Sequence, residues 1–105
     1  MSFDVSIHKR VRHGVTCTRW DRNVTYNLSS MFEEGGLALR DYDGAPGCAV
    51  APVLAEWLRQ AADDPERFEA HNPENGWGDF AGCVDFVRDF LVNAERFPEG
   101  IVLVS

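Results

Sequence analysis

NPENGWGDFAGCVDFVRDFLVNAERF, residues 72–97, joins a polar turn to an amphipathic helix without a break. Phe80, Cys83, Val84, Val87, Phe90, Leu91 and Ala94 recur at helical spacing, while Asp85, Arg88, Asp89, Asn93, Glu95 and Arg96 fall largely opposite. Phe86 and Phe97 widen the apolar stripe, so the helix is expected to meet neighbours on more than one side. Asp79 is its natural N-cap, since a carboxylate there accepts from free first-turn amides and lies at the positive end of the dipole. Pro98 stops it, and Pro98-Glu99-Gly100 turns the chain into Ile101-Val102-Leu103-Val104. That β-branched run reads as a strand buried on both faces, placed centrally or beside the first strand.

Working outward, Phe3, Val5 and Ile7 alternate with Asp4, Ser6 and His8, the period of a half-buried strand. Lys9 to Gly14 reads as a loop or hairpin end. A second β-rich stretch runs from Val15 to Tyr26, but its alternation loses phase between Arg19 and Asn23, which predicts a bulge or break there. The charges at Arg19, Asp21 and Arg22 suggest an exposed edge. Asn27 is placed to cap a short helix carrying Leu28, Met31 and Phe32, with Gly35 at the C-terminal position where positive φ is cheap. Leu37 to Gly47 has turn composition and is expected to be a loop. Pro52 then sits near the start of a helix that buries Val53, Leu54, Trp57, Leu58 and Ala61, and Asp64-Pro65 caps and opens a short further one. Strands at both ends with helices between them predict one α+β domain over residues 1–105: a sheet of about three strands, made of an N-terminal hairpin and a C-terminal strand, covered on one face by three or four helices.

Composition narrows the setting. With 105 residues and 45% hydrophobic content the chain is long enough and apolar enough to bury a core without staples. No apolar run approaches the roughly 20 residues of a spanning helix and no signal-peptide pattern opens the sequence, so no membrane partner and a cytoplasmic location are expected. Cys17, Cys48 and Cys83 are odd in number and widely spaced, the pattern of free and mostly buried thiols. The formal charge of −7 is uneven: Lys9, Arg10, Arg12, Arg19 and Arg22 against Asp4 and Asp21 leave residues 1–22 at +3 and the remainder at −10. Such a body repels nucleic acid at long range, so direct nucleic-acid binding is disfavoured.

Two polar clusters are the candidate binding residues. In the turn, Asn72 before Pro73 is held away from helix, and Asn75-Gly76 supplies positive-φ positions. The turn therefore presents carboxamides, the Trp77 indole and glycine-bared amides beside a helix N-terminus. The second cluster, Asn23, Thr25 and Asn27, alternates at strand spacing and so shares one face. Brought together, Asn23, Thr25, Asn27, Asn72, Asn75, Gly76 and Trp77 would form a neutral hydrogen-bonding pocket walled by Trp77, Tyr26, Met31 and Phe32. The structural reading of the same residues is a helix lead-in and a capped strand end.

Asn23-Val24-Thr25-Tyr26-Asn27, Met31-Phe32 and Asn72-Pro73-Glu74-Asn75-Gly76-Trp77-Gly78-Asp79-Phe80 resemble the recurring signature of a family of small uncharacterised bacteriophage and bacterial proteins. The resemblance covers residues 23–104 and implies a phage or mobile-element setting, with no catalytic residue to carry over.

From the residues themselves catalysis is poorly supported. His8, His13 and His71 lack the spaced partners of a metal site, no cofactor fingerprint is present, and a Cys17 nucleophile would need His8 or His13 across a hairpin. The first expectation is a non-enzymatic binding protein that engages a host protein or a small polar ligand through the Asn/Gly/Trp-rich surface. A second is an acidic nucleic-acid mimic that inhibits a DNA-handling protein, using Asp63, Asp64, Glu66, Glu69, Glu74, Asp85 and Asp89. A third is a small hydrolase or transferase using the same pocket. Exposed strand edges also leave room for a homodimer.

Overall fold

A computed structural model of the chain describes residues 1–10, 16–76 and 78–105, leaving aside the side chains of Arg10 and Thr16. The readings made for Val11 to Val15, His13 among them, and for Trp77 therefore lie outside the described residues. In chain order the described residues form β1 (Ser2–Arg10), β2 (Thr16–Thr25), a 3-10 turn at Tyr26–Leu28, α1 (Ser29–Glu34), a second 3-10 turn at Leu39–Tyr42, α2 (Gly47–Asp63), α3 (Pro65–Glu69), α4 (Phe80–Arg96) and β3 (Ile101–Val104). The fold is α+β, a three-stranded antiparallel sheet in the order β2-β1-β3 with helices against one face.

The alternation of β1 does what its period predicts. Phe3, Val5 and Ile7 are buried toward the helices with Val24, Val102 and Val104 from the flanking strands. The phase slip in β2 is a bulge: Ile7 pairs with Trp20 but His8 pairs with Thr18, which leaves Arg19 as the extra residue. Trp20 and Arg22 thereby turn toward α4 rather than toward an open edge. The Trp20 indole N–H donates to Asp89 Oδ2 at 3.0 Å, and the Arg22 guanidinium lies 3.2 Å from Asp85 and 3.3 Å from Asp89. β2 is an edge strand with Arg19 and Asp21 exposed, as expected, and only Arg22 departs from that, being half-buried and tied to α4.

The terminal run Ile101–Val104 is neither central nor buried on both faces. It takes the other expected place, beside β1, as an edge strand with Leu103 41% exposed on the outer face. Its apolar composition is explained by what covers its free edge. The segment Asp43 to Pro46 runs along it: Val102 N–H donates to Ala45 O at 2.8 Å, Gly44 N–H to Val102 O at 2.7 Å, and Val104 N–H to Asp43 Oδ1 at 2.9 Å. The edge is paired, though not by a strand.

This strap also accounts for the start of α2, five residues before Pro52. The first amides of a helix need partners from outside it. Gly47 N–H donates to Gly100 O and Cys48 N–H to Pro98 O, both at 2.8 Å, so the α4–β3 turn caps α2. Pro52 consequently lies inside the helix, where it forgoes the ladder bond to the Cys48 carbonyl. Gly47, Val50, Leu54, Trp57 and Ala61 face the core, with Val53 and Leu58 at its margin.

Around α1 two glycines take different roles from the one expected. Gly36, not Gly35, has positive φ (84°), and Gly36 N–H to Glu33 O with Leu37 N–H to Phe32 O closes the helix end. Gly35 has ordinary φ (−95°) but lies against Trp57, where an added Cβ would fall 2.3 Å from the indole Cδ1. The thiols also depart from expectation: Cys83 is buried, whereas Cys17 and Cys48 are exposed. Burial pushes the Cys83 thiol well above its ordinary range, because the thiolate would be left without solvent.

Two outcomes follow from this packing. Gly35→Ala should lower stability by about 1–3 kcal/mol through overpacking against the indole, visible as a lower denaturant midpoint. An unchanged midpoint would mean that the Trp57 contact is looser than described. In a thiol-reagent titration of the native protein, Cys17 and Cys48 should react rapidly and Cys83 only on unfolding.

Candidate functional site

Because Val24 faces the core, its neighbours Asn23 and Thr25 project on the outer face of the sheet, opposite Asp4 and Ser2. The Asn23 carboxamide donates to Ser2 Oγ at 2.7 Å and to Asp4 Oδ1 at 2.9 Å. Thr25 ends the strand and its Oγ1 accepts from Asn27 N–H at 3.3 Å. Thr25, not Asn27, is therefore the cap of the following 3-10 turn. That releases Asn27: its exposed carboxamide has no hydrogen-bond partner among the described residues. Tyr26 N–H donates to Met1 O at 3.1 Å and draws the N-terminus alongside.

The polar turn reaches the same place because of one glycine. Gly78 (φ 97°) presses on the end of β2, and a Cβ there would stand 3.0 Å from Thr25 Cγ2 and 3.1 Å from Leu28 Cγ. Nothing larger lets the turn settle so closely. Asn72 then serves the helix, its Oδ1 accepting from Phe80 N–H at 2.9 Å, and Asp79 Oδ1 accepts from Gly82 N–H at 2.7 Å. Asn75 is carried across to β2. Met1, Ser2, Asn23, Thr25, Asn27 and Asn75 line one open cavity of about 440 Å³.

The two clusters thus meet, but not every expected member takes part. Asn72 is used in capping, Gly76 (φ 73°) is exposed and outside the lining, and Trp77 lies outside the described residues. The other three expected walls do not line the cavity. Met31 and Phe32 are fully buried, while Tyr26 packs edge-on against Phe3 at 4.4 Å and accepts from the Arg40 guanidinium at 2.8 Å. Met1 and Ser2 were missed by sequence reasoning. Nothing local marks them; they arrive only through the pairing of Ser2 with Thr25 and the Met1 carbonyl bond.

The lining side chains are hydroxyls, carboxamides and one thioether, so the side chains of this cavity offer neutral donors and acceptors. Displaced pKa values lie elsewhere. Among the described residues, besides Cys83, they belong to the exposed Glu56–Arg59 pair on α2, where the Arg59 hydrogen bond lowers Glu56 and that same bond raises Arg59. Among the described residues no three His, Cys, Asp or Glu side chains converge as a metal site would require, and no helix is long and apolar enough to cross a membrane. No protein-family model, curated protein or solved structure matches the chain significantly.

The division of labour in the turn is testable. Asn72→Ala should cost about 1 kcal/mol in thermal or chemical unfolding by stripping Phe80 N–H of its acceptor, whereas Asn72→Asp, which keeps an acceptor, should unfold close to the parent.

Proposed function

We propose that this chain is a non-enzymatic binding protein, an accessory factor of a phage or mobile element acting in the cytoplasm. It engages a small polar ligand, or the polar backbone of a host protein, at the Asn23, Thr25, Asn27 and Asn75 cavity. The observation that carries this reading is convergence: residues from opposite halves of the chain line one space of about 440 Å³, within the range of ligand pockets. Asn27 supports it further, because a carboxamide with no partner of its own is ready to donate and accept. Neutral amides favour a ligand read by paired donors and acceptors over a strongly charged one. Hydrogen bonding rather than chemistry is also what the lining favours, since it holds no acid–base pair for a hydrolase or transferase.

The acidic-mimic alternative is weakened at two positions. Asp85 and Asp89 are engaged by Arg22 and Trp20, which leaves Asp63, Asp64, Glu66, Glu69 and Glu74 on exposed surface where solvation alone accounts for them.

Native mass spectrometry of protein purified from its host, repeated with Asn27→Ala and Asn75→Ala, tests the proposal. A co-purifying species should be lost or bound about tenfold more weakly by each variant, the worth of one hydrogen bond of about 1.4 kcal/mol, with the melting temperature of Asn27→Ala near that of the parent. Parallel loss of melting temperature and binding would make these residues a helix lead-in and nothing more.

A further inference from the structure

At the other end of β1 from Ser2, the α4–β3 turn folds against the sheet and forms an open groove of about 600 Å³ lined by Lys9, Arg19, Phe97, Pro98, Glu99 and Gly100. Its wall is built. Gly100 N–H donates to Phe97 O at 2.9 Å, the Gly100 and Pro98 carbonyls are held by the first amides of α2, and a Cβ on Gly100 would come within 2.6 Å of Ile7 Cγ2. The turn is therefore pinned against β1 before any ligand arrives.

Two cations stand over this wall. Arg19 is the extra residue of the bulge, and bulges re-aim side chains that regular alternation would direct elsewhere. Lys9, the single lysine of the sequence, comes from the neighbouring strand. Among the described residues neither has an ion-pair partner, in contrast to Arg22, Arg59 and Arg67, each of which faces a carboxylate. A third cation is close by: the Arg96 guanidinium lies 5.4 Å from the centre of the Phe97 ring. This positive concentration occurs in a chain of net charge −7, where every unpaired cation is in the minority.

We propose that this groove binds a small amphipathic monocarboxylate, with Arg19 and Lys9 holding the carboxylate and Phe97, Pro98 and Gly100 receiving the apolar body. The flat fork of an arginine matches a carboxylate, and a ring and a proline beside it give an attached aryl or alkyl group somewhere to leave water. Glu99 sets the charge. Its carboxylate on the rim opposes a dianion, so a phosphate monoester is the poorer occupant. The site is independent of the asparagine-lined cavity at the other end of the sheet.

The single lysine supplies the measurement. Reductive methylation with ¹³C-formaldehyde places one side-chain reporter at Lys9, and backbone amide shifts of unmodified protein give a second readout at Phe97, Glu99 and Gly100. Phenylacetate should shift both saturably. 2-Phenylethanol, which keeps the ring and lacks the charge, should bind at least tenfold more weakly, as should phenylacetate to Arg19→Gln, whose melting should match the parent because Arg19 is exposed. Phenyl phosphate should bind more weakly than phenylacetate. The proposal is overturned by the absence of a saturable shift, by equal affinity for the alcohol, by undiminished binding to Arg19→Gln, or by tighter binding of phenyl phosphate.

Discussion

The buried indole of Trp57 is the constraint around which the helices are placed. A tryptophan with no exposure must find an acceptor for its N–H inside the protein, since an unpaired buried donor costs about 1–3 kcal/mol. The acceptor is the Met31 carbonyl at 3.2 Å, in α1. On the ring itself Phe68 from α3 packs edge-on at 5.1 Å, and the missing side chain of Gly35 lets the end of α1 lie on the indole. One side chain therefore sets α1, α2 and α3 relative to one another. Once α1 is set, the 3-10 turn before it and the Thr25 to Asn27 segment are set as well.

The sheet is completed by elements that are not strands. On one side the Asp43 to Pro46 strap pairs with the free edge of β3, and its continuation into α2 takes its caps from the α4–β3 turn. On the other side Trp20 and Arg22 reach down to Asp85 and Asp89 on α4. The ion pairs are half exposed, so their net worth is small and their main effect is to fix how α4 lies under β2. β1 is thereby held along its whole length, and its two ends carry surfaces of different chemistry. Near Ser2 the surface is amide-rich; near Lys9 it is cationic with an aromatic wall.

Glycine decides both surfaces, for a steric reason in each case. Gly78 lets the polar turn approach Thr25 and Leu28, and Gly100 lets the α4–β3 turn approach Ile7. The side chains that could interact with a ligand are borne by neighbours, Asn75 and Asn27 in one place and Lys9 and Arg19 in the other.

What the sequence by itself determined was whatever depends on local periodicity and local capping. The α4 stripe and its Asp79 cap, the alternation of β1 and the slip in β2 were legible because each is written within a few successive residues. The α+β class followed from the order of those elements. Left to the tertiary structure was every feature whose partner is distant in sequence. An apolar Ile101–Val104 reads alike whether a strand or a strap covers its edge; the start of α2 depends on carbonyls at Pro98 and Gly100; and the choice of Thr25 over Asn27 as cap follows from where β2 ends. The meeting of Asn27 with Asn75 belongs to the same group. A hydrogen bond or a close contact is satisfied by whichever group packing brings near, and the sequence records the groups without the distances between them.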